Sequence, residues 1–324
     1  MVPASADAES DPFALIASAV ERLRAGGLVG MPTETVYGLA GDAANPQAVA
    51  RIFALKGRPA DHPVIVHLAA AAALDDWAAE VPDTAYALAA AFWPGPLTLI
   101  LRRGPRVPDA VTGGQDTVGL RVPVHPLARA LLRDFGGGLA APSANRFGRI
   151  SPTSAAHVRA EFGDELPLVL DGGPCAVGIE STIVDLSGVQ PRLLRPGGVA
   201  ATAIEAVLGR PMGSAAGAPR APGMLPRHYA PRTRLRLLTA TDLLQGLAAD
   251  GGAGIAVLAC TAQAPAGFRG IWRRLPASSG AYARGLYAEL RLLDELGAHE
   301  IRVEQPPAGD DWAPVADRLR RAAA

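Results

Sequence analysis

Lysine is almost missing from this chain: of its 31 basic residues only Lys56 is one, and every other is arginine. Cysteine is nearly as scarce. Cys175 and Cys260 stand far apart, with no CxxC pair and no Cys/His spacing, which excludes a disulfide framework or a zinc site. There is no charge excess, since 31 acidic residues balance the basic ones. A protein whose main work is gripping nucleic-acid backbone usually needs a basic surplus, and here the arginines are not interleaved with aromatics either. No apolar run is long enough to cross a bilayer; the run from Leu68 to Leu74 is far too short. Met1 to Pro12 lacks a basic n-region and an apolar h-region, so no signal peptide is expected, and the expected setting is soluble and cytoplasmic. Several catalytic signatures are also missing. The one lysine has no Walker A glycine pattern before it. No G-x-G-x-x-G stands where a dinucleotide fingerprint would need it, and there is no GxSxG elbow or Ser-His-Asp arrangement. A nucleotide enzyme built on this chain works without a covalent nucleophile of its own.

What is present suits a large α/β protein. Nearly half the residues (49%) are hydrophobic, enough for a sizeable core without disulfides. Phe13, Ile16, Val20 and Leu23 recur at helical spacing before Gly26-Gly27. Asn45-Pro46 is a capped helix start, and that helix ends at Lys56-Gly57. Further helices are predicted over 83–92, 127–135, 154–162 and 202–208. Strands are predicted over 28–31, 64–68, 97–101, 117–122, 139–141, 168–170 and 181–186. Several of these strands are joined by turns too short for a crossover helix, so a mixed, twisted sheet fits better than a pure βαβ array. Residues 209–223 are rich in Gly, Pro, Ala and Ser and read as a linker. After it, strands over 235–238, 255–258 and 300–303 alternate with helices over 242–249, 282–296 and 312–321. That is a small α/β domain in which no catalytic constellation is evident.

The chemistry-bearing segments cluster before the linker. Lys56-Gly57-Arg58-Pro59 sets an ammonium and a guanidinium two residues apart, a phosphate grip or simply a cation at a helix C-terminus. His62 and His67 follow, making a donor-rich stretch. Thr33, Glu34, Thr35 and Tyr37 crowd the exit of the first strand, where α/β sheets place ligands, although a self-capped polar turn reads the same way. Thr117 and Arg121 share one strand face. An arginine on a buried strand needs a carboxylate partner, from a ligand or from the protein, and the segment alone leaves both open. Ser143, Asn145 and Ser151 offer neutral donors, Glu180-Ser181-Thr182 crowds hydroxyls onto a strand entry, and Arg195 is expected in a tight turn.

In order, PTETVYGL at 32–39, KGRP at 56–59, HPVIVHL at 62–68, GLRVP at 119–123, SAN at 143–145, ESTIVD at 180–185 and LRPG at 194–197 resemble the threonylcarbamoyl-AMP synthase family. PGM at 222–224 and HYAP at 228–231 match the longer, two-domain branch. The resemblance implies a YrdC-like twisted mixed sheet over 10–208, a linker and lid over 209–232, and a small Rossmann-like α/β domain over 233–324. It implies synthesis of threonylcarbamoyl-AMP and pyrophosphate from L-threonine, bicarbonate and ATP, with Mg2+ carried mainly on the ATP phosphates and no protein metal ligands. The product would pass to a separate complex that modifies ANN-decoding tRNAs. By residue-wise resemblance Thr35, His67, Arg121 and Ser181 hold threonine, with Arg121 on its carboxylate. Lys56, Arg58, His62, Thr117, Ser143, Asn145, Ser151 and Arg195 hold ATP, with Lys56 and Arg58 in catalytic roles, and Tyr229 closes over the pocket. Two positions depart from the family pattern: His62 replaces Asn, and Phe147 replaces the serine of SANxSG. The alternative is an RNA-binding or ribosome-maturation module of the same fold, with only weak RNA contact expected from the neutral charge. A carbamoyl-transferring hydrogenase-maturation relative would carry zinc-finger-like cysteines that this chain lacks.

Overall fold

The computed structural model describes residues 12–324. The terminal stretch read above as lacking a leader pattern lies outside the described residues, Pro12 apart. In chain order, the first part carries α1 (Ile16–Arg24), β1 (Val29–Met31), β2 (Gly38–Asp42), α2 (Pro46–Lys56), β3 (Ile65–His67), α3 (Leu74–Trp77), α4 (Asp83–Phe92) and β4 (Leu97–Arg102). It continues with α5 (Asp109–Thr112), β5 (Thr117–Arg121), α6 (Pro126–Phe135), β6 (Leu139–Ala140), α7 (Ala155–Phe162), β7 (Thr182–Asp185), β8 (Arg192–Arg195) and α8 (Ala201–Leu208). The second part carries β9 (Arg234–Leu238), α9 (Ala240–Asp250), β10 (Ile255–Ala259), β11 (Ile271–Arg274), α10 (Ser279–Glu295), β12 (Glu300–Glu304) and α11 (Ala313–Ala322).

The first eight strands form one mixed sheet in the order β1-β2-β6-β3-β5-β4-β7-β8. β3 runs parallel to β5 and β4 parallel to β7, while the other neighbours are antiparallel. The short connections noted in the sequence therefore make hairpin-like pairings among a few parallel ones. The main core lies on one face, where Ile52, Leu68, Leu88, Leu99, Leu120 and Val184 are buried among the helices. The other face of the central strands carries Ile65, Ile100, Ile183 and Leu194. The linker covers it with Ala218, Ala221 and Met224. Burying this second apolar face is what pins a Gly/Pro-rich segment that has no periodicity of its own.

The second part is a four-stranded, all-parallel sheet in the order β11-β10-β12-β9. Its larger core does not stop at the domain edge. Val36, Ile150, Ile179 and Tyr229 from the first part and the linker join Tyr282, Leu286, Tyr287 and Leu319 in one buried cluster.

Local sequence accounts for the frame around the site. Asn45 caps α2 by accepting from the amides of Gln47 and Ala48, Pro46 takes the first helical position, and Gly57 ends the helix in the left-handed region at φ 62°. Lys56 is thereby delivered to the last turn of α2 and Arg58 to the loop beyond. Two expectations need correction, and two strands were not expected. Residues 168–170 are not a strand but make an isolated bridge of Val169 to Gly30. Arg195 is not in a turn; it ends β8, paired with Ile183, because β7 offers it a free edge. Gly38–Asp42 and Ile271–Arg274 are strands that no sequence pattern predicted, their pairing supplied by tertiary neighbours rather than by alternation.

The turn after β8 leaves no room for a side chain. A Cβ on Gly197 would lie 2.3 Å from the Thr182 nitrogen and 2.5 Å from the Glu180 oxygen. Gly197→Ala is expected to cost about 3 kcal/mol or more, because the obstacle is backbone and cannot rotate away. Urea unfolding with an unchanged m-value checks this, and a midpoint equal to that of the parent chain would count against it.

Candidate active site

The loop after β1 folds on Thr33. Its Oγ1 donates to the Val36 carbonyl (2.6 Å), accepts from the amides of Thr35 and Val36, and lies 2.9 Å from Thr35 Oγ1. This turn presents Glu34 and Thr35 to β5. Arg121 at the end of β5 donates from Nη2 to Glu34 Oε1 (2.7 Å), from Nη1 to Thr35 Oγ1 (2.9 Å) and from Nε to the Gly95 carbonyl (3.3 Å). The question left open by the sequence is thus answered: a protein carboxylate, Glu34, pairs with the buried guanidinium. These bonds use three of its five N–H groups and leave two for a ligand.

His67 lies opposite Arg121 in the β3–β5 register. Its imidazole is buried, its Nδ1 has no partner among the described residues, and burial together with the Arg121 charge pushes its pKa down to about 3. It is therefore neutral at physiological pH. Ser181 is hydrogen-bonded to Thr98 (2.8 Å) and lies behind Arg195, which donates from Nε and Nη2 to its carbonyl and from Nη2 to its Oγ. The remaining Arg195 nitrogen, Nη1, donates to the Pro222 carbonyl (2.9 Å), tying the linker to the sheet.

On the opposite wall, the Lys56 ammonium donates to the carbonyls of Ser143 and Asn145, and so holds the SAN loop against α2. Burial, then the Arg58 charge, lowers its pKa well below the usual lysine value. Arg58 donates to the Pro63 carbonyl (2.7 Å), keeps an unpartnered Nε, and lies over the rings of Phe53 (6.0 Å) and Phe147 (5.7 Å). Phe147, a departure from the family pattern, also sits edge-on to His62 at 5.5 Å and to His228 at 6.1 Å.

Tyr229 closes the arrangement. It sits at φ 62°, a left-handed conformation costly for a non-glycine residue. It is fully buried, its hydroxyl has no partner among the described residues, and its ring stacks on Tyr287 at 5.8 Å. The resulting cavity of about 50 Å3 is lined by Thr33, Thr35, Arg58, His67, Arg121, Ser143, Glu180, Arg195, Gly223, His228 and Tyr229, among others. Of the residues expected in the site, Thr35, Arg58, His67, Arg121, Ser143, Arg195 and Tyr229 line this cavity. Lys56, Asn145, Ser151 and Ser181 stand behind its wall. His62 lies outside, half-buried beside Asp61 and Phe147, and Thr117 lies at the far end of β5 opposite Arg102. Glu34, Glu180, Gly223 and His228 were missed as site residues, although each belongs to a motif already quoted; the hydroxyls and cations beside them drew attention first.

His67 and His228 have pKa values near 3, lowered chiefly by burial. The unfolded chain, titrating near 6.5, binds more protons than the folded one between pH 6.5 and 3. Stability is therefore complete above about pH 6.5 and falls as the pH drops, by up to about 1.4 kcal/mol per pH unit for each histidine. Urea midpoints at pH 7.5, 6 and 5 test this; a flat profile would contradict it.

A family model described as telomere recombination matches residues 21–197, and a model for the threonylcarbamoyl-AMP synthase C-terminal domain matches residues 199–324. The threonylcarbamoyl-AMP synthase of Bacillus subtilis is 40% identical over 327 residues, covering 95% of this chain and 92% of that protein. This chain belongs to the threonylcarbamoyl-AMP synthase family. The synthase of Pyrococcus abyssi is 47% identical over 215 residues, a stretch covering 64% of this chain and 63% of that protein. Over the whole fold, the crystal structure of P. abyssi Sua5 complexed with L-threonine superposes with a TM-score of 0.88 at 38% identity, covering 96% of this chain and 94% of that one. The synthase family is thus shared across both parts of the molecule, and the cavity lies where the first part, the linker and the second part meet.

Proposed function

We propose that this chain joins L-threonine, bicarbonate and ATP into threonylcarbamoyl-AMP and pyrophosphate, as a nucleotidyltransferase whose product passes to a separate tRNA-modifying complex for ANN-decoding tRNAs. One observation carries the reading: three arginines, Arg58, Arg121 and Arg195, converge with a neutral His67 on one buried cavity in a protein of zero net charge. A carboxylate, a carbamate and a triphosphate brought together need such a set of donors.

Threonine's amine adds to bicarbonate with loss of water to give a carbamate. A carbamate oxygen then attacks the α-phosphorus, and pyrophosphate leaves in line. Positioning and charge stabilisation serve this step better than a protein nucleophile. The two free N–H groups of Arg121 suit the threonine carboxylate, with Thr35 and His67 beside it and Ser181 behind. Arg58 and Arg195 face the phosphates. Lys56 acts through the SAN loop it braces, with Ser143 at the cavity and Asn145 and Ser151 behind it. His62 and Thr117 would reach ATP only where it extends beyond this cavity.

Mg2+ would ride on the triphosphate, where it would neutralise phosphate charge. Glu180, the carboxylate that lines the cavity, is already engaged by Arg318, and Glu34 behind the wall is engaged by Arg121. The cavity has room for only a few waters, and Pro222, Gly223, His228 and Tyr229 of the linker line it, which supports a lid that moves aside for the substrates and closes behind them. Closure keeps water from a hydrolysable mixed anhydride. Among the described residues no helix is long and apolar enough to cross a membrane.

The test is pyrophosphate release from ATP and Mg2+ with and without L-threonine and bicarbonate. Release that requires both, with an AMP product heavier by one threonylcarbamoyl group, is the expected result. Bound ATP without threonine-dependent release, or salt-sensitive tRNA affinity in its place, would move the function to another acceptor or to RNA binding.

A further inference from the structure

Glu180, in the wall of the cavity, is held largely from outside the first domain. Its Oε1 accepts from Ser151 Oγ (2.6 Å), but its Oε2 accepts from Tyr287 Oη on α10 (3.0 Å) and from Arg318 Nε on α11 (2.7 Å). Arg318 is completely buried. It bonds Asp317 through Nη1 (2.7 Å), lies 5.2 Å over the ring of Tyr229, and keeps an Nη2 with no partner among the described residues. Tyr287 stacks on Tyr229 as well, with ring centroids 5.8 Å apart. Two residues of the C-terminal domain thus contact two cavity-wall groups from behind without lining the cavity themselves.

An ionised carboxylate in the wall of a site for a triphosphate would repel it unless a cation were tied to that carboxylate. A buried guanidinium one layer back supplies that cation without taking up room in the cavity. We propose that Arg318 is a positioning residue for the reaction, neutralising Glu180 and backing the ring of Tyr229, so that the C-terminal domain sets the charge and shape of the cavity that receives ATP. The inference rests on the synthase reading of this cavity.

The groups facing Glu180 are Arg318 from α11, Tyr287 from α10, Arg195 from β8, His228 and Tyr229 from the linker, and Ser151, with Asp317 behind Arg318. Burial pushes its pKa up, while Arg318 first and then Arg195 pull it down, to about 2. Without Arg318 the burial effect remains and the carboxyl titrates at a higher pH. It is then neutral, and harmless to ATP, only on the acid side.

The test compares the full-length chain with Arg318→Met, Arg318→Lys and Arg318→Met/Glu180→Gln. KM for ATP and kcat are measured from pH 6 to 9, alongside ATP binding by calorimetry and thermal unfolding. Arg318→Met is expected to raise the ATP KM at least tenfold at pH 8, with a smaller fall in kcat and a KM that improves toward pH 6. The parent and Arg318→Lys show no such limb, and the double variant loses it and recovers to within tenfold of the parent. A folded Arg318→Met with parental ATP KM at every pH overturns the proposal, as does a double variant that keeps the limb. If Arg318→Met does not fold, the double variant decides, since a buried ion pair replaced by neutral groups is usually tolerated. Folded and active, it supports charge neutralisation; folded and inactive, it overturns it. Should the parent release no threonine-dependent pyrophosphate, the synthase reading fails, and the calorimetric ATP affinities still decide the role of Arg318.

Discussion

Arg121→Ala should lower threonine-dependent pyrophosphate release by at least a thousandfold and destabilise the fold by about 3–5 kcal/mol. The two losses have different origins. Stability falls because Glu34, buried beside Arg121, keeps only the amide of Val124 as a partner once the guanidinium is gone. Activity falls because the two N–H groups assigned to the threonine carboxylate vanish with it. Adding Glu34→Gln to Arg121→Ala removes the stranded charge, so it should restore part of the stability and none of the turnover. Arg121→Lys keeps the charge but not the fork, and should fold while losing threonine affinity more than ATP affinity. Urea titrations and a threonine-dependence series on the three variants separate these effects. Normal turnover by folded Arg121→Ala would sink the assignment.

Gly223→Ala should cut kcat/KM at least a hundredfold with little loss of stability. Gly223 sits at φ 78°, and a Cβ there would lie 2.1 Å from the Tyr229 hydroxyl and 3.0 Å from Arg195 Nη1. Neither neighbour can yield without cost: the Tyr229 ring is stacked against Tyr287, and Arg195 is fastened to Ser181 and Pro222. The linker would have to lift, and the lid would close poorly. Because the strain falls on a linker held by a few contacts, global stability should drop by only about 1–2 kcal/mol. Parental kcat/KM in this variant would show that closure does not depend on the Gly223–Tyr229 contact.

Much of this was legible in the sequence. Periodicity and caps located most helices, as at Asn45-Pro46 and Gly57, because those signals act within one or two turns of chain. The lone Lys56, the arginines and the hydroxyl-rich strand ends marked the site. Their geometry was not legible. Lys56 looked like a phosphate grip, yet its ammonium braces the carbonyls of residues 143 and 145, 87 and 89 positions away. Thr117 shares a strand face with Arg121, but four residues of extended chain carry it past the end of the cavity. Arg195 looked like a turn residue because its strand is defined by pairing with β7, not by its own pattern.

By itself the sequence determined the α/β class, the family and the chemical inventory of a protein with no net charge. These follow from residue types and short-range spacing. Only the tertiary structure decided that Glu34 is the partner of Arg121, that the linker is pinned over an apolar sheet face, and that Tyr287 and Arg318 reach Glu180 from more than 100 positions along the chain. Burying a charge demands a partner but does not say which one, and that choice is made by whichever surfaces the packed core brings together.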